Sequence, residues 1–218
     1  MYASATDWAL MLIVRYRLYD CGDNAATRAF PLIVTKDQLM VTFEIKQLDP
    51  ETYRRQTRRS TLIVAATFVV LAMGLAALAV AVFGEAGADG LRLNALGVGA
   101  GLLLTISLVR SVYWKQPWMA CAVYGWRLKR SLMSVTNVMH HVSAGVAAGD
   151  ADAMKLLRFY HLGLTQMHQL DGNSAALSDA VRDIDLHREA LLERGVEIDQ
   201  TRLDADWLES VKRFAATT

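Results

Sequence analysis

Five histidines, His140, His141, His161, His168 and His187, fall in the C-terminal half of the chain. Imidazole is a common metal ligand and the side chain whose charge changes nearest neutral pH. His161, His168, Asp183 and His187 are therefore the residues whose types suit a metal centre. Their spacing argues against one helix supplying it. His161 and His168 are two turns apart, about 10.5 Å along an ideal helix, whereas zinc–imidazole bonds are about 2.1 Å. His140 and His141 diverge by about 100° around a helix axis. Both fall off the apolar stripe of Leu132, Val135, Met139 and Val142. Asp179, Asp183 and His187 follow one another at fourfold spacing. On a solvated helix face an i,i+4 pair such as Asp183–His187 contributes only about 0.2–0.5 kcal/mol. The same pair is also half of a metal site, or a general base with its orienting acid. No second half is visible in sequence, so a metal centre would need residues from several helices. The chain has no P-loop, GxGxxG, HExxH or CxxC pattern. No catalytic residue is assigned, and no cofactor is implied.

The elements that would position these groups follow from an uneven distribution of apolar residues. The composition is 53% hydrophobic, and the apolar residues concentrate between Thr61 and Val109. Residues 61–83 form an uncharged run of about 23 residues, long enough to cross ~30 Å of hydrocarbon as a helix. Residues 91–109 form a second run of about 19 residues, with Arg92 near one end, where it can snorkel to an interface. Residues 84–90, GEAGADG, make a short, wet turn between them. The expected architecture is all-α: a transmembrane helical hairpin followed by an antiparallel helical bundle.

Arg54, Arg55, Arg58 and Arg59 precede the first run, and Arg110 and Lys115 follow the second. The connecting loop carries Glu85 and Asp89 instead. Positive residues beside a span stay on the cytoplasmic side. Both termini are thus expected in the cytoplasm of a bacterial inner membrane, with the loop outside. The same arginines suit anionic lipid headgroups. Tyr113, Trp114 and Trp118 form an aromatic belt at the exit, where Pro117 is expected to break the helix. Gly97 and Gly101 form a GxxxG pattern, and the first run offers Ala72, Ala76, Ala77 and Ala81 as small partners. The pattern serves hairpin packing within a chain or the face of a homodimer equally well. Neither run carries a central charge of the kind that marks an ion path.

The net charge is +1, which gives no global field for nucleic acid. Charge is nevertheless polarised, basic from Arg54 to Arg130 and acidic from Asp171 to Glu209. Two cysteines, Cys21 and Cys121, are too few for a disulfide framework and are expected as free thiols in a reducing compartment.

Residues 1–39 show no clean period. Their apolar stretch, Trp8 to Val14, is too short to span. They read as an extension outside the functional module, of the kind a start codon set too early would produce. Residues 40–60 read as a basic juxtamembrane segment in which a helix starts, with Asp49 as N-cap and Pro50 at the first helical position. Residues 110–218 carry helical periodicity without a strand signature of comparable strength. The expected stripes are Cys121 to Val146, then Leu157, Tyr160, Leu164 and Met167, then Leu177, Val181, Ile184 and Leu191. A short last helix holds Trp207 and Val211. Asp150 or Asp152, and Asp204, are expected caps, and Gly149, the DGNS turn at 171–174 and Gly195 are expected stops.

The stretches LDPETYRRQTRRS, YWKQPWMACAVYGWRLKRSLMSVTNVMHHV and AMKLLRFYHLGLTQMHQLD, together with the hairpin, resemble a bacterial membrane family catalogued as domain of unknown function 3087. The resemblance runs from about Phe43 to about Lys212 and implies a topology and no catalytic residues. The expected role is a small scaffold, assembly or regulatory protein that works by contact with an unknown protein partner. A metal-binding protein or metal-dependent enzyme built on the histidines is the alternative.

Overall fold

The structure, a computed structural model, describes Cys21 and residues 41–84 and 90–214. The expectations for the rest of residues 1–39 and for the loop residues 85–89 lie outside the described residues. The fold is all-α. Its elements are β1 (Val41–Glu44), α1 (Pro50–Phe83), α2 (Gly90–Ser111), α3 (Ala120–Thr136), α4 (Met139–Ala147), α5 (Ala151–Asp171), α6 (Ser174–Glu193), β2 (Arg202–Asp204) and α7 (Ala205–Ser210). Short 3-10 turns cover Tyr113–Lys115, Pro117–Met119 and Val211–Arg213. The chain divides into two compact units, residues 1–23 with 55–122, and residues 24–54 with 123–218.

In the first unit α1 and α2 are both long and apolar enough to cross a membrane. The 34 residues of α1 measure about 51 Å at 1.5 Å per residue, so its charged first turns extend beyond the hydrocarbon-length stretch. Neither is buried as a core helix would be: only 6% of the most apolar window of α1 and 17% of that of α2 is buried. Leu62, Val70, Met73, Leu91 and Leu103 all point outward. After α2 the chain is pinned by polar groups. The Ser60 hydroxyl, itself buried, hydrogen-bonds the Trp118 carbonyl at 2.6 Å, and Tyr113 and Thr67 share a hydroxyl–hydroxyl bond of 3.1 Å. Pro117 does not end the second long helix. That helix stops at Ser111, and Pro117 opens the second 3-10 turn, where its fixed φ suits a first helical position.

Two expectations are corrected, one in each unit. Cys21 and Cys121 are not free thiols but form a disulfide, their Cα atoms 4.7 Å apart across 100 residues of sequence. Cysteine counting carries no information about such long-range proximity. The continuous seam from Cys121 to Val146 is in fact two helices, α3 and α4, with a turn at Asn137–Val138. Cys121, Leu128, Leu132, Val135 and Val142 are buried as that spacing requires.

The second unit is a packed helical module. Asp49 accepts the Thr52 N–H at 2.7 Å, Asp150 the Ala153 N–H at 3.0 Å and Asp204 the Asp206 N–H at 2.9 Å. Each carboxylate satisfies a backbone donor that the following helix leaves without a partner. Gly149, Gly172 and Gly195 take positive φ after α4, α5 and α6, the left-handed conformation that closes a helix. One element escaped the sequence. β1 and β2 pair antiparallel, with Phe43 opposite Leu203 and Glu44 opposite Arg202. The buried stripe of α5 also differs from expectation. Ala153, Leu156, Phe159, Gly163, Gln166 and Leu170 are buried, while Leu157, Tyr160, Leu164 and Met167 are half-buried. Helix α5 packs against α4, α6, α7 and β2, so more than one face is covered. A β-carbon at Gly163 would stand 2.8 Å from Leu132 Cδ2, so that side chain would have to shift to admit one.

Candidate functional site

Histidines from two different helices meet at the contact of α5 with α6. Met154, Arg158 and His161 follow one another at i, i+4 and i+7 on α5, and so share a face. His187 and Leu191 stand at i and i+4 on α6. The rings of His161 and His187 meet edge to face with centroids 5.2 Å apart. His187 is 8% exposed, and its Nε2 lies 3.1 Å from the Met154 carbonyl oxygen. A carbonyl only accepts, so Nε2 carries the proton in the neutral ring, and Nδ1 holds the lone pair. Arg158 is 7% exposed, and its Nε donates to the Ile198 carbonyl at 2.8 Å. Two buried atoms of this cluster, His161 Nδ1 and Arg158 Nη1, have no hydrogen-bond partner among the described residues.

The electrostatics follow from this burial. The His161 pKa is lowered to about 4, first by desolvation, then by His187 and Arg158, against a smaller opposing pull from Asp183. That of His187 is lowered as well, by desolvation and, to a lesser extent, by Arg158, against the bond to Met154. Arg158 is itself pushed down, mainly by burial and then by Arg188. The cluster is thus two neutral imidazoles beside a guanidinium.

Among the candidate ligands, the structure brings together His161 and His187. His168 lies two turns further along α5 and is half-buried, while Asp183 is exposed on α6 and acts on His161 through its charge. The side chain of Asp179 lies outside the described residues. The rings of His140 and His141 lie tilted against each other with centroids 4.0 Å apart, and a His141 ring nitrogen bonds the Phe214 carbonyl. Among the described residues no group of three or more His, Cys, Asp or Glu is placed to hold a metal ion. The buried Arg158 charge would also oppose a cation there. Sequence reasoning missed Arg158. The only signal was its place between Met154 and His161 on a shared helical face.

The other singled-out residues are placed as follows. Gly97 and Gly101 lie on Ala76 and Ala72: a β-carbon on Gly97 would overlap the Ala76 backbone, and one on Gly101 would stand 2.6 Å from the Ala72 Cα. Arg55, Arg58, Arg59, Arg110 and Lys115 are exposed. Arg54 differs from its neighbours. It is half-buried and reaches the Leu170 carbonyl at 3.5 Å, at the end of α5. Beside it Tyr53 is buried against Gly125, where any β-carbon would collide with the Tyr53 hydroxyl.

A family model described as "Protein of unknown function (DUF3087)" matches residues 43–208. No curated protein and no solved structure matches the chain.

Proposed function

Because the chain belongs to the DUF3087 family, whose description carries no activity, we propose its role from its architecture: a small two-pass protein of a bacterial inner membrane, with both termini in the cytoplasm, that serves as a scaffold, assembly or regulatory subunit through protein–protein contact. The observation that carries the membrane half is the outward-facing apolar surface of α1 and α2. In water such a surface would be an aggregation hazard, whereas in lipid it is at home. The cytoplasmic orientation is supported by the arginines at both outer ends of the hairpin. Contact with a partner is supported by the helical module, which is folded around its own core yet leaves Met133, Val181, Leu186 and Leu192 exposed. The acidic stretch from Asp171 to Glu209 supplies the charge that orients such a contact.

Site-specific photo-crosslinking in intact cells tests the contact. A crosslinker at Met133, Leu186 or Leu192 is expected to give one discrete adduct, absent when the crosslinker sits at exposed Glu189 or Glu209. Identical labelling from all five positions, or no adduct from the apolar three, contradicts the reading.

A further inference from the structure

We propose that His161 and His187, packed edge to face beside the buried Arg158, form an acid-sensitive latch that holds α6 against α5 while both rings are neutral. The geometry alone gives the reason. His187 uses its one neutral-state proton on the Met154 carbonyl. A second proton on either ring would add a second positive charge to a cluster where that of Arg158 is already buried. On His161 that proton would occupy Nδ1, a buried atom with no acceptor in reach among the described residues, and a buried charged donor without a partner is costly.

The groups around the pair come from each element packed on it. Helix α5 contributes Arg158 and the Met154 carbonyl. Helix α6 contributes Asp183, which faces His161, together with Asp185 and Arg188, which act on Arg158. The segment after α6 contributes Asp199, the Ile198 carbonyl and Arg194, whose guanidinium reaches the Met154 sulfur at 3.7 Å. Asp183 is the group that favours protonating His161, and it is exposed and the weakest of the named influences.

The folded-state pKa values of both histidines lie below the ordinary value of 6.5. The open state therefore binds protons that the closed state does not. The latch is at full strength above the ordinary histidine range and weakens as pH falls through it. For His161 the loss is complete near pH 4. Between pH 7.5 and 5.5 the open population of α6 rises about tenfold from His161 alone when its ring titrates freely on opening, and His187 adds to the rise in the same direction. Opening exposes Leu191, which α6 buries in the module. Acidification thereby converts a closed helix pair into a surface with new apolar area.

The test is hydrogen exchange by mass spectrometry on the full chain in lipid nanodiscs, with a chelator present, at pH 7.5 and 5.5. Rates are corrected for intrinsic chemistry, and α4 serves as the internal reference. The expected result is that α6 loses tenfold or more of its protection relative to α4, and that the His161→Gln, His187→Gln double variant shows the same α6 protection at both values. Equal wild-type protection at both values overturns the latch. So does a double variant that folds and keeps the full loss. Histidine NMR titration of the wild type provides a readout free of mutational effects. Two rings that remain neutral to below pH 6 in the folded state support the proposal, and either ring titrating at 6.5 or above overturns it.

Discussion

The hairpin and the helical module solve opposite packing problems with the same secondary structure. In the hairpin, the contact is made by the smallest residues, Gly97 and Gly101 on Ala76 and Ala72, and the large apolar side chains face out. In the module, Phe159, Leu128, Leu156 and Leu191 are fully buried, and the charged residues face out. Polar side chains buried among these have partners, as where Tyr124 donates to Gln166 Oε1 at 2.8 Å and Gln166 Nε2 donates to the Lys46 carbonyl. The difference fits the role proposed above, in which the hairpin lies in lipid and the module in water. Against water, burying apolar area contributes about 25 cal/mol per Å². Against lipid that gain vanishes, and close backbone approach takes its place. The His161–His187–Arg158 cluster breaks the pattern, being polar, buried and incompletely satisfied.

The comparison is sharpened most by paired truncations. Phe159→Ala is expected to destabilise the module by about 3–5 kcal/mol through lost burial and a residual cavity. Leu103→Ala, at a position 67% exposed on α2, is expected to change hairpin stability by less than about 0.5 kcal/mol. Denaturant titration of the reconstituted protein, followed by near-ultraviolet circular dichroism for the module and by proximity fluorescence for the hairpin, measures both. A large Leu103 effect would mean that this face of α2 packs on protein rather than on lipid.

A smaller effect is expected from overfilling the helix contact. Gly97→Leu should weaken the hairpin by about 1–3 kcal/mol, because its side chain must displace Ala76. Gly99→Ala, whose β-carbon meets nothing within 4 Å, should be silent within about 0.5 kcal/mol. Cysteine-pair crosslinking across the two helices reads the difference. Equal effects would show that the GxxxG face is not the contact.

Much of the helical framework was legible in sequence because its signals are local. Asp49, Asp150 and Asp204 cap helices a few residues away, and Gly149, Gly172 and Gly195 stop them through backbone conformation alone. The two apolar runs are longer and more uniform than a core helix needs. What escaped was non-local. The β1–β2 ribbon joins four residues at one end of the chain to three near the other, too short for alternation to declare itself. The buried face of α5 carries Gly163, Gln166 and Arg158, which dilute its hydrophobic period and make the half-buried Leu157, Tyr160, Leu164 and Met167 stripe look stronger. Spacing drew attention to Asp183 with His187, whereas the contact that matters joins His161 to His187 across two helices.

Paired reporter fusions test the central claim most directly. Alkaline phosphatase, active only outside the cytoplasm, is placed between Gly84 and Gly90 in one chain and after Thr218 in another, with membrane retention checked by carbonate extraction. Activity from the loop fusion alone, with both chains resistant to carbonate, is the expected result. Activity from the C-terminal fusion, or release of either chain without detergent, contradicts a hairpin that enters and leaves on the cytoplasmic side.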